Sequence, residues 1–241
     1  MFHQSFLSIV AIAGLSLAAH AQEKGKPVPV QIRAVLHDPA NPAANLFYTD
    51  KTGAVVQLDF RPKDLTDPLL MLPANGSLVL YDKAAIDPGN PAASLAASAR
   101  LPAGIKRAII VVLPARPGAK PAYRLLVIDD SVDAFPGGES LVLSLIGVET
   151  AIQAGEHKLP VHPGKITRVP PVRKVNEFNM AQTNFYYKDG GSSVAFAERQ
   201  LQYIDACRRL FIIHATPGAL QPTVTTIVDI NAKAGPLPAP P

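Results

Sequence analysis

The chain has 241 residues, 48% of them hydrophobic and 17% charged: enough apolar material for a real core, and too little charge for wholesale disorder. Twenty-four prolines and 16 glycines exclude many long helices and suit short strands joined by turns. The formal net charge is +4, but the cations are scattered singly or in pairs, as at Arg173 and Lys174 or Arg208 and Arg209, which argues against a nucleic-acid partner.

Residues 6–17 are an unbroken apolar or small-residue run. It is short for a membrane span, which takes about 20 residues, and matches the hydrophobic region of a signal peptide. Ala19 and Ala21 flank His20 at the positions signal peptidase reads, so cleavage is expected between Ala21 and Gln22. The five residues before the run carry no Lys or Arg, a departure from the usual signal pattern. The expectation is a signal peptide over 1–21 and a mature chain exported to the periplasm or beyond, with no stable membrane span after cleavage.

The mature region reads as a succession of strands. Residues 30–36 alternate at first, and 46–48 and 54–60 flank a Gly-bearing turn, with Val56, Leu58 and Phe60 assigned to one face. Residues 61–73 carry three prolines and are expected to be irregular. Asn75-Gly76 is a turn dipeptide before a strand at 77–81, a reading preferred to the glycosylation sequon it also forms with Ser77. Residues 87–98 are expected to be a loop with a helical turn. The near-continuous apolar runs 107–113 and 123–128 predict a core hairpin whose strands are buried on both faces.

Residues 129–138 are acidic and turn-rich and mark the candidate boundary. Beyond it, strands are expected at 140–145, 151–153, 158–161, 165–169, 184–188, 194–200, 210–214 and 223–230, with a hairpin turn at Asp189-Gly190-Gly191. A short helix over 198–209 is an alternative. No internal repeat is evident. About a dozen strands at this spacing predict an all-β protein of two consecutive immunoglobulin-like β-sandwich domains, 22–130 and 131–232, with one larger β-sandwich as the alternative. A disordered Pro-rich tail is expected over 233–241.

Candidate chemistry is sparse. Asp129, Asp130 and Asp133 are the best acidic group, yet they lack calcium-loop spacing and read as a solvated turn. Cys207 rules out an internal disulfide, since it is the single cysteine; it reads as a half-buried structural thiol, although Arg208 and Arg209 would lower its pKa if they pointed at it. His157 and His162 are five apart, a poor spacing for a shared metal, and His214 ends a strand. No nucleophile elbow or phosphate-binding loop is present. No catalytic residue, metal or cofactor is expected. Phe185, Tyr186 and Tyr187 form the densest aromatic group and the possible partner-binding site; in a strand Phe185 and Tyr187 face one side and Tyr186 the other, so at least one side belongs to the core.

Residues 123–130 with Phe135-Pro136-Gly137-Gly138, and residues 176–180 with Phe185-Tyr186-Tyr187, resemble a group of uncharacterised exported bacterial β-rich proteins of unknown function. The resemblance implies export and β structure, and supplies no activity. The expected function is therefore an exported, non-enzymatic β-sandwich protein with a binding or structural role in the cell envelope and an unidentified protein or envelope partner. A periplasmic assembly chaperone and a hydrolase centred on Asp129–Asp133 or Cys207 are the alternatives.

Overall fold

The structure, a computed structural model, describes residues 27–87 and 89–230. The expected signal peptide, its Ala21–Gln22 cleavage point and the expected tail over 233–241 lie outside the described residues.

The first half of the described chain carries β1 (Val30–Leu36), β2 (Phe47–Thr49), β3 (Val55–Gln57), β4 (Leu69–Met71), β5 (Ser77–Tyr81), β6 (Leu95–Arg100), β7 (Arg107–Pro114) and β8 (Tyr123–Asp129). The second carries β9 (Ser140–Ser144), β10 (Thr150–Ala154), β11 (His157–Val161), β12 (Ile166–Val169), β13 (Met180–Asp189), β14 (Ser192–Gln202), β15 (Cys207–His214) and β16 (Thr223–Ile230). A single 3₁₀ turn at Pro91–Ser94 is the only helix among the described residues, so no described helix is long and apolar enough to cross a membrane.

The strands form four sheets of four: β3-β2-β5-β6, β4-β1-β7-β8, β12-β9-β15-β16 and β11-β10-β13-β14. We call these the first outer, first inner, second inner and second outer sheets. The all-β sandwich expectation is met. The strand order, 4-1-7-8 facing 3-2-5-6, has its own pattern, whereas the immunoglobulin constant type would set 1-2-5-4 against 3-6-7. In each half the first strand runs parallel to the seventh, β1 beside β7 and β9 beside β15.

Strand periodicity explains how the sheets stack. Side chains alternate between the two faces of a strand. Along β7, Ala108, Ile110 and Val112 enter a core shared with the first outer sheet. Ile109, Val111 and Leu113 enter a second core, shared with Leu141, Leu143, Leu210 and Ile212 of the second inner sheet. Along β15 the parity is the same: Leu210 and Ile212 face the first half, while Phe211 and Ile213 join Ile152 and Phe185 in a third core against the second outer sheet. The molecule is thus four β layers with three cores between them, and the central strands β7 and β15 of the two inner sheets are covered on both faces. The continuous apolar runs at 108–113 and 210–213 exist for this reason; β15 is buried at all eight positions, Arg208 and Arg209 included. Strand β8 is only partly buried, short of the two-face burial expected of it.

The two halves also repeat in sequence, which the sequence reading did not detect. The β7–β8 and β15–β16 hairpins superimpose in number at an offset of 100, with Ala115, Pro117, Gly118 and Ala119 answered by Ala215, Pro217, Gly218 and Ala219. Their registers agree, Pro114 opposite Tyr123 and His214 opposite Thr223, and both turn glycines sit at left-handed φ, +79° and +80°.

Other local expectations shift. The region 61–73 is not wholly irregular, because β4 within it pairs with β1. The strand expected over 54–60 stops at Gln57; Leu58 is buried while Val56 is 38% exposed, so they do not share a buried face. The helix alternative over 198–209 fails: β14 runs to Gln202 and β15 starts at Cys207, and Glu198, Gln200 and Gln202 are exposed at a strand period of two.

The connection between the halves, 130–139, is pinned by close packing. An added Cβ on Gly137 would land against the Asp205 carbonyl oxygen, a backbone atom that cannot rotate away. Gly137→Ala is expected to cost about 1–3 kcal/mol through overpacking, read as a lower urea midpoint; an unchanged midpoint would show that the connection yields.

Candidate functional site

The aromatic group lies on the second outer sheet. Phe185, fully buried, stacks edge-on to Phe211 at 5.2 Å and belongs to the third core. Tyr187 packs on the same side, edge-on to Phe196 at 5.8 Å. Tyr186 points to the opposite, outer face, where Ala151 and Pro160 align with it across the strands and its hydroxyl donates to Gln153 Oε1 at 3.3 Å. Of the three residues, the structure therefore leaves Tyr186 facing outward on the sheet, with Ala151 and Pro160 beside it.

Next to this face lies a long edge. β14 has eleven residues and among the described strands pairs only with β13. The register slips opposite Phe185 and Tyr186, so that Phe196 is the extra residue of a bulge. The bulge divides the edge and twists it. Beyond it, along Ala197 to Gln202, the Arg199 side chain reaches inward, donating to Val224 O at 2.8 Å, while Glu198, Gln200 and Gln202 stay exposed. The outward N–H and C=O groups of an edge strand can receive another strand.

The acidic group is taken apart by the fold. Asp129 accepts from the Ser131 amide at 2.9 Å, Asp133 is exposed, and Asp130 is 3% exposed within an ion cluster. The first half supplies Arg33, Arg107 and Asp130 to that cluster, with Arg107 3.8 Å from Asp130, and the second half supplies Arg208 and Asp229. Arg33 of β1 donates to both Asp130 oxygens at 3.0 and 2.7 Å and to both Asp229 oxygens at 2.7 and 2.9 Å. Arg208 of β15 donates to Asp130 at 2.7 Å, to Asp229 at 2.9 and 2.5 Å, and to Phe135 O at 2.6 Å. Its guanidinium also lies 4.5 Å from the Phe135 ring centre. Burial alone would lower the Arg33 pKa; the bonds to Asp229 and Asp130 outweigh it, and the net direction is up. Burial works against the Asp229 carboxylate, yet Arg33 and Arg208 hold it below its ordinary range. Such a cluster clamps the halves together. Both Asp130 oxygens are engaged by arginines, which hold the carboxylate as a structural anion.

Cys207 is 4% exposed, and burial raises its thiol pKa, with Arg209 opposing. The neighbouring arginines look elsewhere: Arg208 into the ion cluster, Arg209 onto the Tyr203 ring at 4.9 Å. Thiolate rather than thiol is the reactive form, so Cys207 is expected to resist a disulfide reagent in native buffer and to react at once in urea; fast native labelling would contradict the burial. The three histidines are not gathered. His157 lies against Glu156 at 3.5 Å and Pro171 O at 3.2 Å, and His162 beside Glu149 at 3.9 Å. No group of three metal-ligating side chains occurs among the described residues.

His214 has a partner that the sequence reading missed. Its ring meets that of His37, just past β1, edge-on at 4.5 Å between centres. Both are buried. Burial, then the neighbouring His214, pull the His37 pKa down to about 4, against a small opposing pull from Asp38. In the unfolded chain a histidine takes its proton near pH 6.5. Between about pH 6.5 and 4 the unfolded state thus binds the extra proton, so stability is lost as pH falls through that window. The urea midpoint is expected to decline between pH 7 and 5, and to decline less in His37→Phe; parallel pH profiles would refute the assignment.

No protein-family model matches the chain, and no curated protein matches it. One solved structure, provisionally described as a cell adhesion protein from Bacteroides uniformis, covers 87% of this chain and 99% of its own at 8% identity, with a TM-score of 0.21. A likeness at that score carries no argument about fold or function.

Proposed function

We propose that this chain is an exported, non-enzymatic binding or structural protein of the cell envelope, and that its partner adds an extended segment along the Ala197–Gln202 edge of β14. The observation that carries this reading is that edge: the longest strand of the described chain, unpaired along its outer side among the described strands and flanked by the outward face bearing Tyr186. Main-chain hydrogen bonds would give affinity, and exposed side chains on alternate positions would give selectivity. The two centres a hydrolase would use are committed elsewhere, Asp130 to two arginines and Cys207 to the protein interior. The division into domains at 22–130 and 131–232 is part of the same proposal, with the ion cluster joining them.

Two measurements test it. The mass of the native chain should correspond to an N-terminus at Gln22, and a chain still beginning at Met1 would remove the export claim. A photo-crosslinking residue at Gln200 in intact cells should trap one protein, while the same residue at Val56 on β3 should not. Equal capture at both positions, or none at Gln200, would discard the edge as the binding surface. A trapped subunit lacking a strand of its own would favour the assembly-chaperone alternative.

A further inference from the structure

A cavity of about 290 Å³ opens where the two halves meet. One wall is the end of β1 and the loop after it, a second is the segment around Phe60, and the third is the end of β15 with the start of β16. Neither half builds it alone. Its lining is mostly apolar, with Val35, Leu36, Phe60 and Ile227 among the contributors. Ligand sites favour such boundaries, with a few placed polar groups in an apolar wall.

The polar groups at this cavity are nearly all satisfied by the protein. His214 Nε2 lies 3.1 Å from Thr225 Oγ1 and its Nδ1 lies 3.3 Å from Ala215 O. Asp38 accepts the amides of Ala40 and Asn41, each at 3.1 Å. Arg61 is paired with Asp67, and Lys63 is exposed at the rim. His37 is the exception. It is 7% exposed and lines the cavity, yet neither ring nitrogen bonds a described residue, and neither is sealed away from the opening. A neutral imidazole offers one N–H donor and one acceptor, and here both face the cavity with no partner among the described residues.

We infer that this cavity is a binding site for a small uncharged ring compound bearing one hydroxyl, a phenol-type ligand whose oxygen bonds the His37 imidazole. The volume suits a single-ring molecule, and the apolar walls suit its body. Its hydroxyl can donate to one ring nitrogen or accept from the other. Charge argues against an ion: the Asp38 carboxylate beside His37 disfavours an acid, and Arg61 and Lys63 at the mouth disfavour an amine.

The test is an NMR titration of the purified chain, observing histidine ring resonances, with four probes: phenol, toluene, benzoate and benzylamine. Phenol should shift the His37 ring saturably at millimolar concentration. Toluene should bind about tenfold more weakly, the value of one hydrogen bond to an otherwise unpaired group. In His37→Phe, phenol should fall to the toluene level. The inference is overturned if phenol leaves the His37 ring unmoved, if toluene binds as well as phenol, or if benzoate or benzylamine binds more tightly. Those outcomes are read on the native chain, so they stand even where the variant fails to fold.

Discussion

Asp229→Ala is expected to lower the free energy of unfolding by about 3–5 kcal/mol, the cost of opening a buried ion pair from one side. The carboxylate is bonded at once by Arg33 of the first half and Arg208 of the second. Removing it leaves the guanidinium groups of Arg33, Arg107 and Arg208 around the single carboxylate of Asp130, in a place where the Arg208 side chain is 1% exposed. The cost comes from the stranded charge rather than from the net worth of the cluster. The double variant Arg208→Met with Asp229→Leu should therefore cost much less than the single one. Acid probes the same group. The folded pKa of Asp229 lies below its unfolded value of about 4, so its contribution is complete above that value and is lost as pH falls below it toward the folded pKa. A urea midpoint unchanged in Asp229→Ala would show that the cluster does not hold the halves.

Phe211→Ala should cost about 3–5 kcal/mol and Ile212→Ala about 2–5 kcal/mol, although their side chains leave β15 in opposite directions. Both residues are fully buried. Phe211 enters the core shared with the second outer sheet, and Ile212 the core shared with the first half. In an ordinary two-layer sandwich one face of a strand looks to solvent, and one of two neighbouring truncations would be nearly free. Two large losses at adjacent positions, measured by urea unfolding, are the signature of an inner sheet. A small loss at Ile212 would mean that the inner sheets do not share a core.

The apolar runs made this sheet legible in part. Residues 107–113 lack alternation, which pointed to burial on both faces, and the structure bears that out for β7. What covers the second face was not legible, because the covering residues Leu141, Leu143, Leu210 and Ile212 belong to strands that pair only within their own half. The repeat escaped notice because its identities are few, four in one hairpin loop and Asp129 with Asp229, while the strands otherwise share only apolar pattern. The ion cluster escaped for a related reason: Arg33 and Asp229 are 196 positions apart, and nothing local distinguishes them from solvated charges. Of the aromatic trio, strand alternation correctly sent Phe185 and Tyr187 one way and Tyr186 the other. His37 stayed hidden because a lone histidine after a strand carries no signal until the second half folds against it. Cys207 is more deeply buried than the half-buried thiol its type suggested, because every position of the strand it begins lies in the interior.

Native-state hydrogen exchange resolves the shared core most directly. Amides of β7 at 109–113 and of β15 at 209–213 should open together, with one free energy equal to that of global unfolding. Exchange of either strand at a clearly lower free energy, with the other still protected, would show two independently folding sandwiches and contradict the four-layer account.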